Sequence, residues 1–320
     1  MANTNLDSKS RPTDLIVVTC YFNPQSYHSR RVNYERFASA LQDRGIPLLT
    51  IECALGERPF ELSDGPASIR VRAQSVLWHK ERLINIAIKK ASLSFTKIAW
   101  VDADVLFEDP SWFWRASEAL ETWPVIQLFD EVVRLPRNTQ SYSSEHPSWT
   151  SFAARSQRSP GCHLHGWFRH GHTGYAWAAS REVLQNGLYE MCISGGNDHL
   201  MAHAFVGDWH SRCIDGLVGL GSALHISFRR WARSIQDYTR GRLGYVDGRI
   251  LHLWHGEDRN RTYYAWSEQL KNLRLRPDTD LCSNESGCLE WTGLNPKAQQ
   301  WSSLLFASRR EDGETASAGG

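Results

Sequence analysis

The stretch KIAWVDADVLFEDPSWF, residues 97–113, decides how the rest of the chain is read. Its opening, Ile98-Ala99-Trp100-Val101, is a continuous apolar run that reads as a buried strand. The run ends in two carboxylates one residue apart, Asp102 and Asp104, with Glu108 and Asp109 close behind. In extended backbone, alternation puts both carboxylates on one side of the chain, with Cα atoms about 6–7 Å apart. Two anions so placed repel unless a cation lies between them. Hard oxygen ligands suit Mg2+ or Mn2+, ions that fill their remaining positions with water and phosphate oxygens. A solvated acidic turn is the plain alternative.

Working outward, the first half alternates strand and helix signals. DLIVVTCYF (14–22) and IPLLTIECAL (46–55) are β-branched apolar runs; VNYERFASALQDRG (32–45) and VLWHKERLINIAIKKA (76–91) carry apolar residues at helical spacing. The run around 97–107 is the third strand and PVIQLFD (124–130) a fourth. This order predicts an α/β fold, a Rossmann-like and mostly parallel sheet flanked by helices. Ligands of such sheets bind at the carboxyl ends of the strands, where Asp102 and Asp104 fall. Residues 136–172 have weak periodicity and read as a long loop, either a functional lid or a disordered insertion. Beyond it, TGYAWAASREVLQNG (173–187) reads as strand then helix, GGNDHLMAHAFV (195–206) as a turn opening a helix, and RILHLWHG (249–256) as a late strand.

Composition bounds the function. The 320 residues are 41% hydrophobic and 22% charged, globular values. Lys plus Arg (36) nearly cancel Asp plus Glu (35), so no basic field points to nucleic acid, and none is expected as a partner. The 14 tryptophans suit either a sugar or nucleoside pocket or an aromatic core. No apolar run is long enough to be a transmembrane segment, and the polar start shows no secretory signal. Seven cysteines, an odd number, suit a reducing compartment, and Cys282 and Cys288 read as structurally incidental. The expectation is a cytoplasmic protein, peripheral to a membrane at most.

Two further segments join the acidic pair. HLWHG places His252 and His255 after an apolar run; an imidazole added to an Asp-x-Asp favours manganese. ISGGNDHL places Asp198 behind two glycines, where it is either a helix cap or a general base for an attacking hydroxyl.

Together these segments resemble the metal-dependent glycosyltransferases of the GT-A fold, the galactosyltransferase type with an Asp-x-Asp and a later Gly-Gly-Glu-Asp-Asp block. KERLINIAI is similar to that family's Lys-Leu-Leu-Asn-Val-Gly helix, WVDADVLFED to its metal strand, HTGYAWAASREVLQNGLYE to its aromatic-Gly strand and helix, GGNDHL to its acidic block, and HLWHG to its late histidine. The likeness runs over about residues 13 to 265 with the motifs in order. It implies that Asp102, Asp104 and His255 (or His252) hold the metal, and that Asp198 deprotonates the acceptor hydroxyl in an inverting displacement. It also implies a donor site around Thr19, Tyr21, Asn23, Arg82, Asn85 and Asp102, completed by Gly174, Tyr175, Trp177 and Gly196. The implied cofactor is Mn2+ or Mg2+, the donor a UDP-sugar, and the acceptor a glycan or other hydroxyl. The family's Glu-Asp-Asp is Asn197-Asp198-His199 here, which leaves the base but not its flanking acids. The implied organisation is one catalytic domain over 14–308, a nucleotide half to 135 and an acceptor half beyond it, between a disordered leader (1–13) and tail (309–320). The rival readings are a metal-dependent hydrolase or nucleotidyltransferase, supported by the alternating His163, His165, His170 and His172, and a silent sugar-binding module.

Overall fold

The computed structural model describes residues 14–162, 169–260 and 263–313. In chain order the elements begin β1 (Leu15–Phe22), α1 (His28–Gln42), β2 (Leu48–Leu55), β3 (Ser68–Ala73), α2 (Lys80–Lys90), β4 (Lys97–Val101), β5 (Val105–Phe107) and α3 (Trp112–Ala119). They continue β6 (Val125–Gln127), β7 (Glu131–Arg134), β8 (Ser148–Thr150), α4 (Phe152–Arg158), β9 (Ala176–Ser180), α5 (Asn197–Phe205), α6 (Arg212–Val218) and α7 (Ala223–Thr239). The last are β10 (Leu243–Tyr245), β11 (Arg249–His252), α8 (Tyr263–Asn272), α9 (Pro277–Asp280), β12 (Leu281–Ser283), β13 (Leu289–Trp291) and α10 (Pro296–Ala307).

The central sheet has seven strands in the order β10-β6-β9-β4-β1-β2-β3, and only β9 runs against its neighbours. A mostly parallel sheet must be covered on both faces, and the β-branched runs supply two apolar sides. Ile16, Val18, Ile98 and Trp100 face a core shared with Leu83 of α2, Leu200 of α5 and Phe228 of α7. Their neighbours Leu15, Val17, Ala99 and Val101 face the other core, with Phe37 of α1 and Phe113 of α3. The sheet takes strands from both sides of residue 135.

A second sheet, β5-β11-β7-β8, stands beside the acidic turn. β11 pairs antiparallel with β5 so that His252 lies opposite Val105, next door to Asp104. The long segment expected as a loop contains β8 and α4, and the helix expected after β9 is a single 3-10 turn, Val183–Asn186. The strand β3 and the 17-residue helix α7 were not anticipated from the sequence.

Residues 309–313, expected to open a disordered tail, pack instead against the start of α1. Asp312 accepts hydrogen bonds from the backbone N–H groups of His28 (2.9 Å) and Ser29 (2.7 Å) at that helix's open end. Arg309 and Glu311 are buried. Gly256 lets this segment pass: its φ is +94°, and a Cβ there would stand 3.0 Å from the Glu311 Cα. No helix among the described residues is long and apolar enough to cross a membrane.

Candidate active site

A cleft of about 500 Å³ opens at the carboxyl ends of β1 and β4, lined among others by Tyr21, Asp102, Asp104, Gly174, Tyr175 and Asp198. The Asp-x-Asp pair enters it differently from the sequence expectation. β4 ends at Val101, and residues 102–104 form a turn, so strand alternation no longer sets both side chains. The Asp102 N–H bonds to the Tyr175 carbonyl (2.8 Å), tying it to the central sheet, whereas the Asp104 carbonyl accepts from the Leu253 N–H (2.8 Å) of the second. The two carboxylates therefore have separate partners.

Asp104 faces the late histidines. His255 Nε2 is 3.1 Å from Asp104 Oδ2, His252 Nε2 is 3.7 Å from Oδ1, and the two Nε2 atoms are 3.0 Å apart. One donor atom from each residue lies within 4.8 Å of the others. Burial would push the Asp104 carboxyl up, but His255 and His252 hold it well below the ordinary range. Behind His255, its Nδ1 lies 3.7 Å from Oε1 of the wholly buried Glu311, which also accepts from Arg309 Nε (2.6 Å) and from Arg30 Nη2 (2.9 Å). Both candidate histidines thus converge on the same carboxylate.

Asp102 and Asp198 share Lys80. Its Nζ sits 2.6 Å from Asp102 Oδ1 and 2.8 Å from Asp198 Oδ2. Burial lowers the affinity of that ammonium for its proton, but the two carboxylates raise it well above the ordinary lysine value. The Asp102 carboxyl is pushed up to about 6 by burial, against the pull of Lys80. Asp198 stands in the first turn of α5, whose N-cap Gly196 has a φ of +92°. Its side chain makes no cap hydrogen bond there; Oδ2 goes to Lys80, and Oδ1 has no hydrogen-bond partner among the described residues. The helix-cap reading of Asp198 therefore fails.

Other expected donor residues divide. Tyr21, Gly174, Tyr175 and Gly196 line the cleft. Tyr21 donates its hydroxyl to Glu61, and Tyr175 accepts from Arg134 Nε at 2.8 Å. Thr19, Asn23, Arg82, Asn85 and Trp177 are not among the lining residues, and each is committed elsewhere. Thr19 donates to the Val101 carbonyl (2.7 Å), Asn23 to Glu61 (3.0 Å), and Trp177 to the Thr173 carbonyl (2.9 Å). Asn85 clamps Leu188 through its N–H (2.7 Å) and carbonyl (2.9 Å), and Arg82 reaches the Gly287 carbonyl and Glu190 (both 2.5 Å). These polar groups stabilise the packing of α2 against later loops.

Of the alternating histidines, the described pair His170 and His172 separates. His163 and His165 lie outside the described residues. His172 stacks on Tyr175 with ring centroids 4.2 Å apart, while His170 turns away toward His199, His203 and Cys213. Burial pushes the Cys213 thiol up, yet hydrogen bonds from His170 and His203 bring it down to about 6. Sequence reasoning missed Lys80, Glu311 and this second cluster. The i, i+4 spacing of His199 and His203 was a usable signal, since it puts both rings on one face of a helix.

No family model matches the chain, and no curated protein does. Among solved structures, the catalytic domain of Drosophila β1,4-galactosyltransferase 7 in complex with xylobiose is similar at 10% identity, over 90% of this chain and 98% of that one, with a TM-score of 0.37. A mutant of the same enzyme in complex with manganese, UDP-Gal and xylobiose aligns at 12% identity over 59% of each chain, TM-score 0.33. Mouse xyloside xylosyltransferase 1 in its apo form aligns at 10% identity over 74% of this chain and 96% of its own, TM-score 0.30.

Proposed function

We propose that the protein is a glycosyltransferase that moves a sugar from a nucleotide-diphosphate donor, a UDP-sugar, to an acceptor hydroxyl with inversion. The observation that carries this reading is the convergence of Asp104, His252 and His255 in the same cleft as Asp198. Their donor set, one carboxylate and two imidazoles, fits a divalent ion with a taste for nitrogen, Mn2+ over Mg2+. Asp104 Oδ1 is buried with no hydrogen-bond partner among the described residues, an oxygen that a cation would satisfy. When bound, such an ion neutralises the diphosphate as it leaves the sugar.

The chain's own residues do the rest. Glu311 orients His255 from behind, the usual arrangement for a metal-holding imidazole. Lys80 fixes Asp198 through Oδ2, so Oδ1 is the oxygen that accepts the acceptor's proton. The absent Cβ of Gly174 keeps the wall beside Asp198 low: an added one would stand 3.5 Å from Asp198 Oδ2. Asp102 positions Lys80 and does not join the triad.

Thermal melts with Mn2+ and UDP, separately and together, test the reading, because a ligand bound only by the folded state raises the midpoint. Mn2+ should be required for UDP stabilisation, and Asp104→Ala should abolish that requirement together with the shift. A UDP shift of equal size without metal, or one retained by Asp104→Ala, refutes it. Release of free sugar from the donor in the absence of acceptor then separates a transferase from a module that merely binds sugar.

A further inference from the structure

We infer that the protein carries a second metal site, a closed zinc site formed by His170, His199, His203 and Cys213. These four residues are 0–3% exposed, and one ligand atom from each lies within 4.8 Å of all the others. A tetrahedral zinc, with bonds of about 2.0–2.1 Å to nitrogen and about 2.3 Å to sulfur, needs ligand atoms roughly 3.3–3.6 Å apart. Cys213 Sγ and His203 Nε2 are already 3.3 Å apart. The ring centroids of the three histidines stand 4.6–5.2 Å from one another, so the rings converge rather than stack in a row. Three imidazoles and one thiolate form a four-ligand set with no position left for water, which marks a structural and not a catalytic zinc.

The surroundings have the features that such ligands need. His203 directs Nδ1 at Asp208 Oδ2 (3.2 Å), and His170 directs Nδ1 at the Gly171 carbonyl (2.8 Å). A histidine whose second nitrogen is held by a carboxylate or a carbonyl presents the first in a fixed tautomer and orientation. Ser211 Oγ lies 2.8 Å from the Cys213 sulfur and can stabilise the thiolate.

The site ties together three segments that approach the cleft from different parts of the chain. His170 begins the wall that runs to Gly174, His199 follows Asp198 on α5, and Cys213 opens α6, whose Leu217 packs on Gly196. Zinc here would hold the Asp198 side of the cleft rigid. The site stands whatever the cleft turns over.

Protein purified without chelators should contain about one tightly held zinc per chain by mass spectrometry of the digested metal. X-ray absorption on that wild-type protein should show a sulfur and nitrogens around zinc, and cobalt substitution should give tetrahedral visible bands with a thiolate charge-transfer band. Cys213→Ser should remove the charge-transfer band, His203→Gln should lower zinc content several-fold, and Asp104→Ala should leave zinc content unchanged. Zinc-free protein that excess Zn2+ neither loads nor stabilises overturns the inference. So does a zinc shell of nitrogen and oxygen alone, a result that can be read on the wild type even where the variants fail to fold.

Discussion

Replacing Glu311 with glutamine is the sharpest test of how the cleft is supported. Glu311 pairs with both Arg30 and Arg309 and lies behind His255, whose other nitrogen faces Asp104; the Glu311 side chain has no exposure and that of Arg309 has 8%. Glutamine keeps the shape but removes the charge, which leaves two guanidinium groups facing a neutral amide. Removing one partner of a buried ion pair typically costs about 3–5 kcal/mol, because the remaining charge stays desolvated. Arg30 is a quarter exposed (25%) and can recover some hydration, so the lower half of that range applies, about 3 kcal/mol. At about 2 °C per kcal/mol for a chain of this size, the melting midpoint should fall by about 6 °C. Urea unfolding followed by tryptophan fluorescence measures the free energy directly. The metal reports separately: an imidazole that loses its orienting carboxylate typically weakens metal affinity about 10–100-fold. A stability loss under about 1 kcal/mol would show the 309–313 segment to be a surface appendage and not a support.

Asp198→Asn should retain Mn2+ and UDP binding while transfer falls by about 10²-fold or more, as measured with saturating donor; wild-type turnover removes Asp198 from the chemistry. Asn85→Ala should destabilise by about 1–3 kcal/mol, since the Leu188 backbone loses both partners, with nucleotide affinity unchanged in titration calorimetry. Glu81 gives a pH signature. Burial pushes its carboxyl from 4.5 to about 8, so the fold binds its proton more tightly than the unfolded chain does. Its contribution is therefore most favourable below about 4.5 and declines as pH rises toward about 8. Glu81→Gln, whose amide oxygen can still accept from Trp78 Nε1 and Asn197 Nδ2, should gain on the wild type by up to roughly 5 kcal/mol across that window. A difference in urea stability that stays flat with pH refutes the shift.

The parts of this architecture that sequence reading anticipates are those with local causes. β1, β2 and β4 are apolar runs that a two-sided sheet requires, α2 shows helical spacing, and α5 follows a Gly-Gly turn. The late histidines were legible because β11 is itself a run of apolar residues that delivers His252 to the turn. The split of Asp102 from Asp104 was not legible, because it depends on where β4 stops and on hydrogen bonds to Tyr175 and Leu253, both distant in sequence. Lys80 looked like any lysine opening a helix; its meaning comes from the Asp102 and Asp198 carboxylates that meet it. Arg82 and Asn85, two and five positions further along the same helix, turn to the far loops, a difference of helical phase that a motif match does not carry.

One consequence concerns the order in which the protein can be made. Arg30 and Glu311 are separated by 281 positions, yet the pair closes beneath His255. A ribosome that has released β1, α1 and even the whole central sheet still holds a molecule whose histidine corner lacks its anchor. Newly synthesised chains should therefore acquire competence late and all at once, when Gly256 receives the strand of backbone that carries Glu311.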